Sequence, residues 1–208
     1  MSADRFKTEQ EKFWAGDFGD AYVDRNADAA HVDALVRLFQ SILSSVSAPR
    51  SAIEFGANIG LNLHALRRLL PQAELAAIEI NEKAIGRLAA IPELQVFASS
   101  ILDFVPARTW DLALIKGVLI HINPEALPTV YSLLYRSASR YICVIEYYNP
   151  TPVEVPYRGH KGRLFKRDFA GEMLDTYRDL RLVDYGFTYR RDARYREDDT
   201  TWFLMEKT

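Results

Sequence analysis

The sequence is poor in cysteine and contains no long apolar run. Cys143 is the single cysteine among 208 residues, so neither an intrachain disulfide nor a thiolate metal cluster can form. It lies in an apolar stretch, which predicts a buried and unreactive thiol. No run of about 18 apolar residues is present, and the polar first residues lack the apolar core of a secretory signal. We therefore expect a cytoplasmic protein without a membrane-spanning helix.

An excess of charge of one sign is also missing, as are metal ligands at useful spacings. The 26 basic and 28 acidic side chains give a net charge of −2, which does not favour nucleic acid as a partner. Four scattered histidines and one cysteine do not form a metal-binding pattern, so no metal is expected. The length favours one domain with a full core, and nothing in the sequence indicates an oligomeric state.

Apolar strands alternate with amphipathic helices through most of the chain. Five strands are predicted at 51–55, 74–80, 94–98, 110–116 and 141–146, and two more at 181–189 and 200–206. Helices are predicted at 31–46, 61–70, 82–90, 123–136 and 168–177. The alternation predicts a parallel sheet covered on both faces, whereas the short link between the last two strands favours antiparallel pairing. The expected fold is α/β, with a Rossmann-like, seven-stranded, mostly parallel sheet and an antiparallel C-terminal strand pair.

A glycine-containing turn, EFGANIG at 54–60, joins the first strand to the next helix. Gly56 and Gly60 allow close approach of a ligand to the backbone, and the helix start offers free N–H groups. Glu79 ends the second strand, where a carboxylate can accept hydrogen bonds from ribose hydroxyls. Together these features indicate a cofactor that contains a nucleoside.

The turn differs from a dinucleotide-binding turn, which requires the pattern G-x-G-x-x-G. Asn58 replaces the middle glycine, and asparagine tolerates the left-handed backbone conformation. Glu54 would repel a pyrophosphate but suits an ammonium group, such as that of the methionine part of S-adenosylmethionine. No nucleoside triphosphate motif is present either.

These motifs resemble those of class I S-adenosylmethionine-dependent methyltransferases. EFGANIGLN resembles the first motif of that family, and IEIN at 78–81 resembles the second. SSILDF at 99–104 and WDLALIKGVLIHINPEAL at 110–127 resemble its adenine loop and its fourth-strand motif. More narrowly, the stretches 13–26, 115–125, 145–175 and 198–207 resemble pseudaminic acid biosynthesis-associated methylases.

The resemblance implies the positions that hold the cofactor. The methionine and ribose side is assigned Glu54, Gly56, Ala57, Asn58 and Gly60. Glu79 would hold the ribose hydroxyls, and the adenine would lie beside Ile80, Ser100 and Ile101. The loop beneath the sulfonium is assigned Lys116 and Gly117.

Methyl transfer requires an aligned acceptor and removal of the acceptor proton. His121 is the candidate base because it follows the fourth strand on the ligand side and imidazole titrates in a suitable range. A packing role remains open for it, and many methyltransferases use no dedicated base. Glu146 and His160 are the competing candidates for the base.

The acceptor is assigned to the loop at 147–167 and to the N-terminal segment. Candidate substrate contacts are Trp14, Tyr22, Tyr147, Tyr148, Arg158, Lys161 and Arg163. The basic side chains suit a carboxylate or a phosphate, although such a run can simply face solvent. Residues 1–30 are predicted to form a lid or a docked cap, and residues 31–208 are predicted to form one methyltransferase domain.

The predicted function is methyl transfer to oxygen or nitrogen of a small polar, anionic acceptor, such as a sugar or sugar nucleotide. The alternatives are an amino-acid-like or peptide amine, RNA as acceptor, and a non-catalytic scaffold with the same fold. A dinucleotide-dependent oxidoreductase ranks last, because the turn does not match that motif.

Overall fold

A seven-stranded sheet forms the centre of the molecule, as seen in a computed structural model that describes residues 6–25, 30–193 and 198–208. Its strands are β1 (Ser51–Phe55), β2 (Glu74–Glu79), β3 (Leu94–Ala98), β4 (Trp110–Lys116), β5 (Ala138–Glu146), β8 (Leu180–Thr188) and β9 (Thr200–Lys207). A separate two-stranded hairpin consists of β6 (Val153–Glu154) and β7 (Phe165–Lys166). Residues 1–5 and 26–29 of the predicted N-terminal segment, including Asn26 of one resembling stretch, lie outside the described residues.

The strand order is β3-β2-β1-β4-β5-β9-β8. The five strands from β3 to β5 are parallel to one another, and β9 pairs antiparallel with both β5 and β8. The predicted α/β class, the number of strands and the antiparallel C-terminal pair are confirmed. Because β1 has β2 on one side and β4 on the other, strand order reverses at β1, which is where such sheets bind ligands.

Helices cover both faces of the sheet. They are α1 (Glu9–Ala15), α2 (Asp17–Arg25), α3 (Ala30–Leu43), α4 (Leu61–Leu69), α5 (Glu82–Leu88), α6 (Leu127–Ser137) and α7 (Phe169–Thr176). Phe39 and Leu66 belong to the core on one face, and Leu134 and Met173 belong to the core on the other. Each such side chain contributes about 1.5–3 kcal/mol through burial. Within the described ranges, none of the helices has the length and apolar character needed to cross a membrane.

The side chains of Thr8, Asn81 and Asp168 cap α1, α5 and α7, whereas α4 and α6 begin without a side-chain cap. Asn81 caps α5 by accepting a hydrogen bond from the Ala84 N–H at 2.9 Å, as predicted. The predicted helix start at Asn123 is instead a 3₁₀ turn over Pro124–Ala126, and α6 begins only at Leu127. The second proline, Pro128, accounts for the shift, because it suits the first turn of an α-helix and not a later one.

Candidate active site

A cavity of about 700 Å³ opens at the carboxyl ends of β1, β2, β3 and β4. Its volume lies within the range of about 300–1,000 Å³ that is typical of small-molecule sites. Positions 56–59 of the glycine turn, Glu79, the loop after β3 and the Lys116–Gly117 turn line one half of it. The predicted cofactor residues Glu54 and Gly60 are not part of this lining. Side chains of α1, α2 and later loops line the other half. We call these two parts the strand-end half and the loop half.

The glycine turn takes left-handed backbone conformations at three positions. Gly56 has φ 74°, Asn58 has φ 48° and Gly60 has φ 83°. A side chain at position 56 would also meet Val118, because a Cβ there would lie 2.7 Å from a methyl carbon. Asn58 therefore adopts the conformation that its residue type tolerates, and Gly56 is needed for close packing against the loop after β4.

Glu79 ends β2 with its carboxylate held in one orientation. Its Oε2 accepts a hydrogen bond from the Asn58 N–H at 2.7 Å, and its Oε1 accepts from the Ile80 and Asn81 N–H groups at 2.8 Å. Burial raises the pKa of Glu79, while these three backbone donors act to lower it. The turn after β1 and the turn after β2 are thus joined through one buried carboxylate that borders the cavity.

Glu54 and Asn62 form a second buried polar pair at the start of α4. The Glu54 Oε1 accepts a hydrogen bond from the Asn62 amide at 2.5 Å, and Asn62 lines the cavity. Burial raises the pKa of Glu54 to about 8, against the lowering effects of Asn62 and Lys116. Glu54 Oε2 and Asn62 Oδ1 are buried without a hydrogen-bond partner. Unpaired buried acceptors are costly, so this pair fits a cationic donor such as an ammonium group.

His121 lies in a 3₁₀ turn that follows β4, and its ring borders the cavity. Its Nδ1 lies 2.5 Å from the carbonyl oxygen of Arg163. Because a carbonyl can only accept, Nδ1 carries the hydrogen and Nε2 keeps its lone pair. Burial lowers the pKa of His121 to about 4, so the imidazole is neutral at pH 7. The ring packs between Trp14 and Tyr157, at centroid distances of 4.6 and 4.8 Å.

Two predicted substrate residues of the N-terminal helices, Trp14 and Tyr22, also line the cavity. The indole N–H of Trp14 is buried and has no hydrogen-bond partner. Burial raises the pKa of Tyr22, and the charges that act on its hydroxyl include those of Lys116, Asp198 and Arg158. The loop half therefore brings donors and charged groups from four separate segments into one space.

Polar contacts hold the N-terminal helices on the strand-end half. The Asn81 side chain donates to the Trp14 carbonyl at 3.2 Å and to the Asp20 carboxylate at 2.8 Å. The Glu11 carboxyl group accepts a hydrogen bond from the Ser100 hydroxyl. Gly19 packs directly against this junction, since a Cβ there would lie 1.8 Å from the Trp14 oxygen.

The two other candidate bases lie outside the cavity lining. Glu146 is buried, and its Oε1 accepts hydrogen bonds from the Val118 and Leu119 N–H groups at 2.9 and 2.7 Å. Burial raises the pKa of Glu146 to about 7. His160 packs against Phe13, with a centroid distance of 5.1 Å. Glu146 therefore holds the turn that carries His121, and His160 packs against an aromatic ring.

The predicted substrate loop is divided between the cavity and its surroundings. Arg158 lines the cavity, whereas Lys161 is exposed and does not. Arg163 reaches the site through its carbonyl oxygen, which accepts from His121, while its guanidinium lies over the Phe13 ring. Tyr147 donates a hydrogen bond to Asp198 at 2.6 Å, and Tyr148 is exposed beside Phe203.

The cavity residues that sequence reasoning missed include Glu11, Asn62, Arg190 and Asp198. Asn62 could have been noticed, because it is the second residue of the helix that follows the glycine turn. Arg190 and Asp198 line the cavity from the connection between β8 and β9. No local pattern marks that pair, since only the insertion of β9 beside β5 brings its loop to this edge.

The fold is that of class I S-adenosylmethionine-dependent methyltransferases. No protein-family model and no curated protein matches the sequence. Among solved structures, 1,6-didemethyltoxoflavin N1-methyltransferase from Burkholderia thailandensis is similar with TM-score 0.70 and 15% identity, over 99% of this chain and 93% of that chain. The N-methyltransferase NodS from Bradyrhizobium japonicum WM9 is similar with TM-score 0.66 and 18% identity, over 98% and 99% of the chains.

A third similar structure is the magnesium protoporphyrin IX methyltransferase from Synechocystis PCC 6803, with TM-score 0.67 and 14% identity, over 95% of this chain and 97% of that chain. All three structures contain bound S-adenosylhomocysteine. At these identities the likeness establishes the fold. The narrower resemblance to pseudaminic acid biosynthesis-associated methylases stays a prediction.

Proposed function

We propose that this protein is an S-adenosylmethionine-dependent methyltransferase. The observation that carries the proposal is a pair of buried acceptors without a hydrogen-bond partner, Glu54 Oε2 and Asn62 Oδ1. Asn62 lines the cavity together with Glu79, and Glu54 lies behind Asn62, from which it accepts a hydrogen bond. An α-ammonium group would supply donors to both acceptors, and ribose hydroxyls suit a carboxylate at the end of β2. The similar folds that bind S-adenosylhomocysteine support this assignment.

The cofactor would lie along the strand-end half. The amino-acid part is assigned to Glu54 and Asn62, and the backbone of Gly56, Ala57, Asn58 and Gly60 would border it. Glu79 would hold the ribose, and the adenine ring would lie beside Ile80, Ser100 and Ile101. Lys116 and Gly117 would border the sulfur. When bound, this cofactor supplies an electrophilic methyl carbon on a cationic sulfur.

The acceptor is proposed to be a small polar anion such as a sugar or sugar nucleotide, methylated on oxygen or nitrogen. Arg158, Arg190 and the unpartnered indole N–H of Trp14 supply donors suited to a carboxylate or phosphate. The Nε2 of neutral His121 would take the acceptor proton. A nearby anion would favour the imidazolium and so make His121 a stronger base.

The N-terminal helices are proposed to act as a lid on a single methyltransferase domain. Their contacts with Asn81 and Ser100 close one side of the cavity, and the loop at 147–167 closes another. Closure would exclude water from the methyl group during transfer. The acceptors named for the similar structures differ widely, so they do not select among acceptors for this chain.

Calorimetric titration with two ligands tests the proposed function. The ligands are S-adenosylhomocysteine and 5′-methylthioadenosine, which lacks the amino-acid part. We expect the wild type to bind S-adenosylhomocysteine more tightly than 5′-methylthioadenosine. In Glu54→Gln the ratio of the two affinities should fall by about tenfold or more, because a hydrogen bond to a charged group contributes about 1.5–3 kcal/mol. Affinity for methylthioadenosine should be unchanged in the variant.

The pKa of Glu54 gives a second readout from the same titrations. At pH 7 the carboxyl group is mostly protonated, since its pKa is about 8, and an ammonium beside it favours the ionised form. Binding of S-adenosylhomocysteine should therefore release a proton, which makes the measured enthalpy depend on the buffer. The Glu54→Gln variant should not show that dependence.

Other outcomes would replace the proposal. Absence of binding by either ligand to folded wild type contradicts it. Stabilisation by NAD instead would favour an oxidoreductase. Binding without methyl transfer to anionic sugars, sugar nucleotides, amines, peptides or RNA would favour a non-catalytic scaffold.

A further inference from the structure

Glu11 is a buried carboxyl group in the part of the cavity beyond Glu79. It lies in the first turn of α1, is 7% exposed, and lines the cavity together with Ser100. Its Oε2 accepts hydrogen bonds from the N–H and hydroxyl of Thr8, at 2.7 and 3.1 Å. Its Oε1 accepts from the Ser100 hydroxyl. A carboxylate oxygen has about two acceptor positions, so Oε1 can accept one further hydrogen bond.

The order of the strand ends determines what would lie beside Glu11. Along the cavity edge the strands follow the order β4, β1, β2, β3, and neighbouring strands are about 4.8 Å apart. The acceptors suited to an ammonium lie at β1 and α4, and Glu79 lies at β2. The Ser99 N–H donates to the Glu79 carbonyl at 3.0 Å, so Ser100 is about one strand spacing further on. A nucleoside with its sugar at Glu79 would therefore direct its base toward β3 and Glu11.

The lining at this end suits a flat base with a polar edge. Ile80, Ile101 and Leu102 offer apolar surface for the faces of a ring, while Glu11 and Ser100 are polar. Adenine carries an amino group at position 6, which donates, whereas hypoxanthine carries an oxygen there, which accepts. A carboxylate oxygen can pair only with the donor.

We propose that Glu11 Oε1 accepts a hydrogen bond from the 6-amino group of adenine, so that α1 completes the cofactor site and selects a 6-amino purine. This inference rests on the proposed function. The simpler role for Glu11 is the capping box of α1, in which its side chain accepts from Thr8. Glutamine also serves in a capping box, so the exchange of Glu11 for Gln keeps that role. It replaces the acceptor Oε1 by an NH₂ donor toward Ser100 and the cavity.

The test compares S-adenosylhomocysteine with S-inosylhomocysteine, which has oxygen at position 6, by calorimetry on the full-length protein. We expect the wild type to prefer S-adenosylhomocysteine by about 10–100-fold, as for one hydrogen bond to a charged group. Glu11→Gln should narrow that ratio by about tenfold or reverse it, because the glutamine amide can donate to the oxygen of hypoxanthine. Thermal unfolding of each variant checks that it is folded.

Glu9→Gln is the matched control. Glu9 lies in the same turn of α1, and its exchange for Gln removes the same charge as Glu11→Gln. Unlike Glu11, Glu9 is exposed and pairs with Lys12 at 3.2 Å. The Glu9→Gln variant should keep the wild-type ratio of affinities for the two ligands. The inference about Glu11 is overturned if the wild type binds the two ligands equally, or if folded Glu11→Gln keeps the wild-type ratio of affinities. In both cases binding of S-adenosylhomocysteine would still support the proposed function. Failure of the wild type to bind S-adenosylhomocysteine overturns both.

Discussion

The strand-end half and the loop half of the cavity are built in different ways. The strand-end half consists of residues that directly follow β1, β2, β3 and β4, and backbone N–H groups fix its main carboxylate, Glu79. The loop half combines α1 and α2 with the 3₁₀ turn that carries His121, the loop at 147–167 and the connection between β8 and β9. Its groups meet mainly through side chains, such as the stacking of His121 between Trp14 and Tyr157.

The difference indicates how the two halves can vary. Strand ends lie at fixed spacings, so a cofactor site built on them is rigid and depends on short local motifs. Loops on the same edge can change without disturbing the sheet, which lets one cofactor site serve many acceptors. We therefore expect substitutions in the loop half, with the exception of Glu11, to alter acceptor use with little effect on binding of S-adenosylhomocysteine.

The largest expected effect in the loop half is that of His121→Asn. Loss of the base should lower kcat by about 10²–10³-fold, within the usual range for general base catalysis. The affinity for S-adenosylhomocysteine should stay at the wild-type value, because the cofactor is assigned to the other half. Steady-state kinetics with an identified acceptor and calorimetry provide the two measurements. An unchanged kcat would assign His121 to packing.

The pH profile of the wild type sharpens the same prediction. A base must be unprotonated, and the pKa of His121 is about 4, so kcat/KM should be nearly equal at pH 5.5 and pH 7.5. An imidazole with the ordinary pKa of about 6.5 would lose about tenfold between those values. A hydroxyl acceptor should be used, since it does not titrate in this range.

An intermediate effect is expected from Gly19→Ala, which tests the docking of the N-terminal helices. The new Cβ would overlap the Trp14 carbonyl oxygen, and such overpacking costs about 1–3 kcal/mol. We expect acceptor kcat/KM to fall about tenfold, and hydrogen exchange in α1 and α2 to become faster.

Gly86→Ala is the control for this variant. A Cβ at position 86 meets nothing within 4 Å and faces solvent on α5. Alanine there should be neutral or should stabilise by about 0.5–1 kcal/mol. Equal behaviour of the two variants would show that docking of α1 and α2 is not needed for turnover.

The smallest effect is expected from Arg158→Gln. Loss of one exposed guanidinium should raise KM for an anionic acceptor by up to about fivefold, and KM for a neutral analogue should not change. Lys161→Gln removes a charge from the same loop but outside the cavity lining, and it should have little effect. If both variants raise KM equally, the loop acts through its total charge and not through a defined contact.

The strand-end half was predictable because its residues are adjacent in sequence to the strands that position them. Gly56, Asn58 and Glu79 could each be placed from a local pattern, and the structure brings them together. The candidate base Glu146 shows where this reasoning stops. Its position at the end of β5 was predicted, but its carboxylate turns to the N–H groups of Val118 and Leu119 instead of the cavity.

The sequence by itself determined the α/β class, the order of the elements and the glycine turn, because periodicity and residue type act over a few neighbouring positions. Only the tertiary structure decided the contents of the loop half. Arg190 and Asp198 reach the cavity because β9 inserts beside β5, and Glu11 reaches Ser100 because α1 packs across the strand ends. Such long-range contacts follow from the packing of whole elements, which no local pattern specifies.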